Sequence, residues 1–212
     1  MKLYGYFRSS AAYRTRIALN LKGLEYEYVP VHLSKGEQRA ASYRALNAQE
    51  LVPTLIDDRG IFTQSLAIIE YLDECYPEPP LLPKLPEARA RVRAIALAIA
   101  CDIHPLNNLR VLQYLIGPLG ATDGAKNAWY RHWIEVGLDA LETQLAKDPA
   151  TGTFCYGDAP TLADICLVPQ LANARRFAIP LEPYPTLVRI DANCGKLDAF
   201  AAASPDRQPD AA

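Results

Sequence analysis

Two adjacent serines and three arginines carry the chemical potential of this chain. Ser9 and Ser10 stand between a β-type run, Leu3 to Phe7, and a stretch in which Tyr13, Ile17 and Leu21 recur at helical spacing until Gly23 supplies a C-cap. The pattern is a strand, a polar turn and a helix. Serines at such a turn cap the orphan N–H groups of the helix, and the same groups, with the helix dipole, can hold an anion or a thiolate. A thioredoxin-like redox enzyme would place Cys-x-x-Cys here; Ser9-Ser10-Ala11-Ala12 brings no redox thiol, so any thiol chemistry needs a thiol that arrives with a ligand.

The arginines suggest what the ligand's partner would be. Arg8 follows the first strand, Arg110 lies four residues after Leu106 and seven after Ile103, and Arg176 lies four and eleven residues after Ala172 and Ile165. Each stands beside an apolar stripe, where a cation is costly unless it meets an anion, so a carboxylate-binding cluster is reasonable. Other roles stay open: Arg176 can complement the C-terminal dipole of its own helix, and Pro105 can kink its helix enough to turn Arg110 to solvent.

The elements that must position these residues fall into two regions. The first eighty residues read β-α-β-α-β-β-α: the opening strand and helix, a strand over Tyr26 to Val31, a helical pattern around Glu37 to Leu46, a hairpin of Val52 to Ile56 and Ile61-Phe62 with Asp57-Asp58-Arg59-Gly60 at its turn, and a helix through Leu66, Ile69 and Leu72 with Ser65 as a natural N-cap. Pro77-Glu78-Pro79-Pro80, with Pro83 and Pro86 behind it, makes a stiff linker. Beyond it strand signals vanish. Helical spacing covers roughly Glu87 to Ile116, Ala125 to Lys147, Leu162 to Phe177 and Thr186 to Phe200, and Thr161-Leu162-Ala163-Asp164 has capping-box spacing. The division expected is an α/β thioredoxin-like domain over residues 1–80 and an all-helical domain over 86–212. The Pro-, Asp- and Ala-rich stretch from Ser204 to Ala212 is expected to fray.

Composition narrows the partners. A net charge of −2 with no Lys/Arg run gives no pull toward nucleic acid or an anionic membrane. The longest apolar run, Ala94 to Cys101, is far short of a membrane span, and the N-terminus lacks a signal-peptide pattern, so the expectation is a soluble cytoplasmic protein. Five scattered cysteines and three separated histidines indicate neither a disulfide framework nor a metal site; buried small hydrophobes are the expected role of the thiols.

Several blocks together resemble one family. Tyr6-Phe7-Arg8-Ser9-Ser10 with Arg14-x-Arg16-Ile17-Ala18-Leu19, Ala45-Leu46-Asn47, Val52-Pro53-Thr54-Leu55 and Thr63-Gln64-Ser65-Leu66 are joined by Ile103-x-Pro105-Leu106-x-Asn108-Leu109, Ala163-Asp164-x-Cys166-Leu167-Val168-Pro169-Gln170, Ala172-Asn173-Ala174-x-Arg176-Phe177 and Pro183-Tyr184-Pro185-Thr186. In these the chain is similar to zeta-class glutathione transferases, the group that contains maleylpyruvate and maleylacetoacetate isomerases. Two positions depart from the pattern: the family's Ser-Ser-Cys reads Ser9-Ser10-Ala11, and Arg110 stands where relatives carry a small polar residue.

The resemblance implies glutathione as cofactor, a small diacid as substrate and a homodimer in which the first domain of one subunit meets the helical domain of the other. It implies Ser9 or Ser10 at the thiolate; Ala11, Gln38, Val52, Pro53, Gln64, Ser65, His104 and Asn108 as further glutathione-binding positions; and Arg8, Arg110 and Arg176 on the substrate. Val52-Pro53 would form a cis turn, and Ser65 with Gln64 would take the γ-glutamyl carboxylate. Gln38 matches a polar position near the glycyl end and reads equally well as part of a solvated helix face. The implied reaction is cis–trans isomerisation of a maleyl double bond: thiolate addition turns it into a single bond, rotation follows, and the thiolate leaves. The cysteine lost at Ala11 would be an accessory in this scheme. A transferase that conjugates electrophiles, or merely carries ligands, is the other reading; it would want an apolar site, whereas a diacid wants cations.

Overall fold

The computed structural model describes residues 1–211, and two compact units emerge, one of residues 1–81 with 195–212 and one of residues 82–194. In the first unit β1 (Lys2–Gly5), α1 (Ser10–Leu21), β2 (Glu27–Pro30), α2 (Ala41–Arg44), β3 (Thr54–Ile56), β4 (Ile61–Thr63) and α3 (Ser65–Cys75) follow in order. The sheet runs β2-β1-β3-β4, with β2 parallel to β1 and the other pairs antiparallel. Leu3 at the centre of β1 lies between Tyr28 and Leu55, and Leu55 in turn opposes Phe62. Leu3, Leu55, Ile17, Ile68 and Leu72 are fully enclosed, because the sheet is short and α1 and α3, which pack together, bring their apolar stripes to its core.

The β-α-β-α-β-β-α order expected from the sequence is the order observed, but the second helical stretch is not one helix. Residues Leu33–Lys35 and Glu37–Arg39 form 3₁₀ turns separated by Gly36 at φ 79°, and only Ala41–Arg44 is α-helical. The left-handed glycine interrupts the helix that the apolar spacing suggested. Ser65 also differs from expectation. Gln64 occupies the cap position at φ 68°, and Ser65 is already the first helical residue.

The second unit holds α4 (Pro86–Leu97), α5 (Leu109–Ile116), α6 (Asp123–Lys147), α7 (Leu162–Arg176) and α8 (Pro185–Cys194). The continuous helix expected from Glu87 to Ile116 is broken: α4 widens into a π-turn over Ala98–Ile103, tightens to a 3₁₀ turn over His104–Asn107, and restarts at Leu109. Pro105 explains this, since it lacks the N–H that would reach the carbonyl of Cys101 and its ring crowds that carbonyl. Gly137 of α6 meets the π-turn so closely that a Cβ there would lie 2.2 Å from the Ile103 side chain. At the start of α7, Asp164 is fully enclosed and accepts the N–H and hydroxyl of Thr161 at 2.8 and 2.9 Å and the N–H of Cys155 at 2.8 Å. The capping box read from the sequence is in place.

The helix expected over Thr186 to Phe200 stops at Cys194, and a separate short helix α9 (Asp198–Ala202) belongs with the first unit. This differs from a helical domain running to residue 212. The cause lies in α1: Arg16 donates through Nε to the Ala203 carbonyl at 2.9 Å, and Asn20 donates through Nδ2 to that of Ala199 at 3.0 Å. The stretch from Ser204 is likewise not frayed through Ala211. Gln208 Nε2 bonds the Ala202 and Ser204 carbonyls, and Asp210 accepts the Phe7 N–H; Ala212 lies outside the described residues. Of the cysteines, Cys155, Cys166 and Cys194 are buried as expected, while Cys75 is half-buried and Cys101 exposed. Among the described residues no helix is long and apolar enough to cross a membrane.

Candidate active site

Sheet register gathers four stretches at one end of the first unit. β1 ends at Gly5 opposite Pro30, so the segments leaving β1 and β2 emerge together; Tyr4 pairs with Thr54 and Thr54 with Thr63, so the residues before β3 and after β4 lie at that same end. The Arg8-Ser9-Ser10 turn, the segment that leads from β2 to Gln38, Val52-Pro53 and Gln64-Ser65 therefore leave the sheet at one end of its strands. Tyr6, Phe7, Val31, Tyr43 and Val52 form the apolar cluster beneath it.

At the first stretch, Ser9 is the N-cap of α1 and its Oγ accepts the Ala12 N–H at 3.2 Å. The Tyr13 N–H closes on the Ser9 carbonyl at 2.8 Å. An α-helix opens with four orphan donors; here the Ser9 N–H meets the Tyr6 carbonyl at 2.9 Å and the Ala12 N–H meets Ser9 Oγ, which leaves those of Ser10 and Ala11 for a ligand. Ser10 is the first helical residue and is buried, with the dipole of twelve residues behind it. The two serines thus divide the work: Ser9 is committed to the cap, whereas Ser10 is not. Arg8 is exposed and lies over the Phe7 ring at 4.8 Å.

The Val52-Pro53 peptide is cis, as the family pattern implied. A clamp that sequence reasoning did not assign holds it. Tyr43 donates its hydroxyl to the Leu51 carbonyl at 2.6 Å, Asn47 Nδ2 donates to the same carbonyl at 2.8 Å, and both side chains reach Thr54 Oγ1. Burial pushes the Tyr43 hydroxyl pKa up, with the Thr54 and Asn47 contacts opposing it. Asn47 stood in a quoted motif, and its Asx turn to the Gln49 N–H at 3.0 Å was the available signal.

α3 opens without a side-chain cap. Gln64 turns outward to Gln49, its Nε2 donating at 2.8 Å, while Ser65 is buried at the helix mouth. The first N–H groups of this helix thus carry no side-chain cap, an arrangement suited to an anion. Gln38 is only 7% exposed, and its Oε1 is enclosed with no hydrogen-bond partner among the described residues. This removes the solvated-face reading of Gln38 and leaves an acceptor that wants a donor.

The second unit carries the remaining candidates. His104 opens the 3₁₀ turn, Asn108 caps α5 by accepting the Arg110 N–H at 3.1 Å, and the Arg110 side chain is exposed with no ion-pair partner among the described residues. Breaking the helix at Pro105 has put Arg110 on the first turn of a new helix, so its exposure follows from the break. Arg176 ends α7, lies 4.9 Å over the Phe177 ring and meets Tyr130, whose hydroxyl burial pushes up to about 12 against the pull of the Arg176 charge. Tyr130 stacks on Phe177 at 3.7 Å, and its neighbour Trp129 donates to the Leu106 carbonyl at 2.8 Å. Adjacent residues of α6 therefore hold the Arg176 end of α7 and the turn before Arg110 together.

A four-stranded mixed sheet with a serine at the first helix mouth, a cis-proline turn and a following helical unit defines the glutathione transferase type of protein. The chain belongs to the glutathione S-transferase family, and within it to the zeta class. The model for the glutathione S-transferase N-terminal domain matches residues 3–80, and that for the C-terminal domain matches residues 134–202. The chain is 55% identical over 211 residues to a probable maleylacetoacetate isomerase of Vibrio cholerae, covering 99% of this chain and 97% of that one. It is 53% identical to a maleyl pyruvate isomerase described as a bacterial zeta-class glutathione S-transferase, whose holo structure matches over 100% of both chains at a TM-score of 0.98. The maleylacetoacetate isomerase of Methylobacterium extorquens AM1, solved with malonate and glutathione bound, matches over 100% of both chains at 45% identity and a TM-score of 0.98.

Proposed function

We propose that the protein is a glutathione-dependent cis–trans isomerase whose substrate is maleylpyruvate, converted to fumarylpyruvate. Relatives named for this activity, similar over their whole length, support the reaction class. The residues on the first unit fit the cofactor: two open helix mouths suit the thiolate and the γ-glutamyl carboxylate, and the unpartnered Gln38 oxygen suits a donor on the tripeptide. When bound, glutathione would supply a thiolate that adds reversibly to the alkene carbon β to a conjugated carbonyl, with the electron pair passing to that carbonyl and a carbon–carbon single bond left free to rotate.

The N–H groups of Ser10 and Ala11, with the Ser10 hydroxyl and the α1 dipole, lower the thiol pKa and hold the sulfur in place. Val52, ahead of the cis-proline, pairs its backbone with the cysteinyl part of the tripeptide, and Ser65 with Gln64 takes the γ-glutamyl carboxylate. His104 and Asn108 complete the cofactor set. Arg8, Arg110 and Arg176 bind the substrate carboxylates and stabilise negative charge that develops toward the conjugated carbonyl. Lack of a thiol at Ala11 costs nothing in this scheme, because the reacting sulfur belongs to glutathione.

The single observation that carries the choice of substrate is Arg110, a long cation on the first turn of α5 with no ion-pair partner among the described residues. An added cation shortens the site and captures the carboxylate of the shorter acid. Maleylacetoacetate differs from maleylpyruvate by one methylene, worth only about 1–3 kcal/mol in discrimination. Purified protein should be assayed with glutathione against maleylpyruvate, maleylacetoacetate and an aryl halide. Turnover of maleylpyruvate with free thiol conserved is expected; a tenfold preference for maleylacetoacetate would transfer the reading to that substrate, and stoichiometric thiol loss would make the protein a conjugating transferase. The protein acts as a homodimer, and a monomer mass by light scattering at micromolar concentration would refute that.

A further inference from the structure

The Phe7 peptide, immediately before Arg8, Ser9 and Ser10, is held on both sides by groups outside β1. The β1–β2 ladder ends where the Val31 N–H meets the Gly5 carbonyl, which leaves the Phe7 N–H without a strand partner. Asp210 supplies one across 203 residues of chain, its Oδ2 accepting that N–H at 3.0 Å. On the other side, the Phe7 carbonyl accepts Arg16 Nη2 at 3.2 Å. Arg16, fully enclosed and flanked by the Tyr13 and Tyr28 rings, reaches back through Nε to the Ala203 carbonyl.

The loop is therefore closed: Ala203 to Arg16, Arg16 to Phe7, and Phe7 to Asp210 seven residues further along the same terminal segment. Asp210 Oδ2 also lies 3.4 Å from the Tyr28 hydroxyl, its Oδ1 is enclosed without a partner among the described residues, and Ala211 packs on the cluster that contains Tyr6, Phe7 and Val52. A carboxylate receiving a backbone N–H near a buried cation makes a charge-assisted bond stronger than a neutral one.

We propose that residues 203–211 are a brace for the catalytic turn, with Asp210 the positioning residue that fixes Phe7 and thereby aims the free N–H groups of Ser10 and Ala11 at the thiolate. The inference rests on the glutathione reading above. The carboxylate touches neither cofactor nor substrate. It acts through the turn, where a displacement of about 1 Å is enough to weaken a hydrogen bond aimed at a reacting atom.

The test compares Asp210→Ala, Asp210→Asn and Asn20→Ala in the full chain. Asn20→Ala removes a tie of the preceding helix α9, at Ala199, without touching the turn. Three readouts are taken: the pH titration of bound glutathione thiolate by ultraviolet absorbance, kcat and KM for glutathione, and hydrogen exchange at the Phe7 amide. Asp210→Ala should raise the bound thiol pKa, lower kcat about tenfold and unprotect the Phe7 amide, as loss of a charge-assisted bond at a positioned group implies. Asp210→Asn, which keeps an acceptor, should largely reverse all three effects. Asn20→Ala should lower Tm while leaving the thiol titration in place.

If Asp210→Ala alters Tm alone, as Asn20→Ala does, the segment is merely structural and the inference falls. Should the alanine variant fail to fold, the asparagine variant decides, and a wild-type thiol titration with an unprotected Phe7 amide would overturn the proposal. Failure of the wild type to bind glutathione would sink the functional reading instead, and Phe7 amide protection in Asp210→Ala would then judge the brace by itself.

Discussion

The indole N–H of Trp129 donates to the Leu106 carbonyl across 2.8 Å, so α6 holds the 3₁₀ turn that leads into Arg110. Phenylalanine at position 129 keeps the ring but not the donor. Trp129→Phe should cost about 1 kcal/mol of stability, the usual net value of one such bond, and should raise KM for the diacid while glutathione affinity stays constant. Urea unfolding and steady-state kinetics check both halves. Equal loss of glutathione affinity would show that the turn serves the cofactor instead.

Arg110→Ala should lower kcat/KM for maleylpyruvate by about tenfold to hundredfold, the equivalent of a charge-assisted hydrogen bond of about 1.5–3 kcal/mol. Glutathione affinity should hardly move. Because the side chain is exposed with no ion-pair partner among the described residues, Tm should be unaffected. Wild-type kcat/KM in the variant would remove Arg110 from the site and leave the isomerase class standing.

The division of work between the serines gives a paired prediction. Ser9→Ala loses the cap on the Ala12 N–H and should destabilise the protein by about 1 kcal/mol. Ser10→Ala keeps the cap and should instead raise the pKa of bound glutathione and lower kcat, with little change in Tm. Thermal melts and thiolate absorbance against pH separate the two; the opposite assignment of effects would make Ser9 the thiolate ligand.

Asn47→Ala should be the most damaging of these for folding. The side chain is only 5% exposed and holds the Leu51 carbonyl, Thr54 Oγ1 and the Gln49 N–H. Removing it strips partners from buried groups at about 1–3 kcal/mol each, partly offset because Tyr43 still reaches Leu51 and Thr54. A loss in Tm with glutathione KM raised is expected; an unchanged melt would show that Tyr43 suffices.

Sequence by itself determined what depends on neighbours in the chain. Alternation and helical spacing settled the β-α-β-α-β-β-α order, because each element buries a stripe set by its own period. Local chemistry also identified the Ser9 turn and the Thr161/Asp164 capping box, since an N-cap lies within three residues of the donor it satisfies. Motif blocks carried the family and its cis Val52-Pro53.

Only the tertiary structure decided the rest, and each case involves a partner far away in the chain. Gln38 reads in the sequence equally as a cofactor position and as part of a solvated face, and only the fold shows it enclosed. Pro105 announces a disturbance, but whether α4 bends, widens or restarts depends on the close approach of α6 at Gly137 and the bond from Trp129. The stretch from Ser204 looks unable to order itself because its own apolar content is small. It is ordered by groups almost two hundred residues earlier: the N–H of Phe7, left over where a parallel ladder ends, and the buried charge of Arg16, which needs carbonyl oxygens that its own helix cannot give. Unsatisfied backbone and buried charge are created by folding, so neither is written in the spacing of residues.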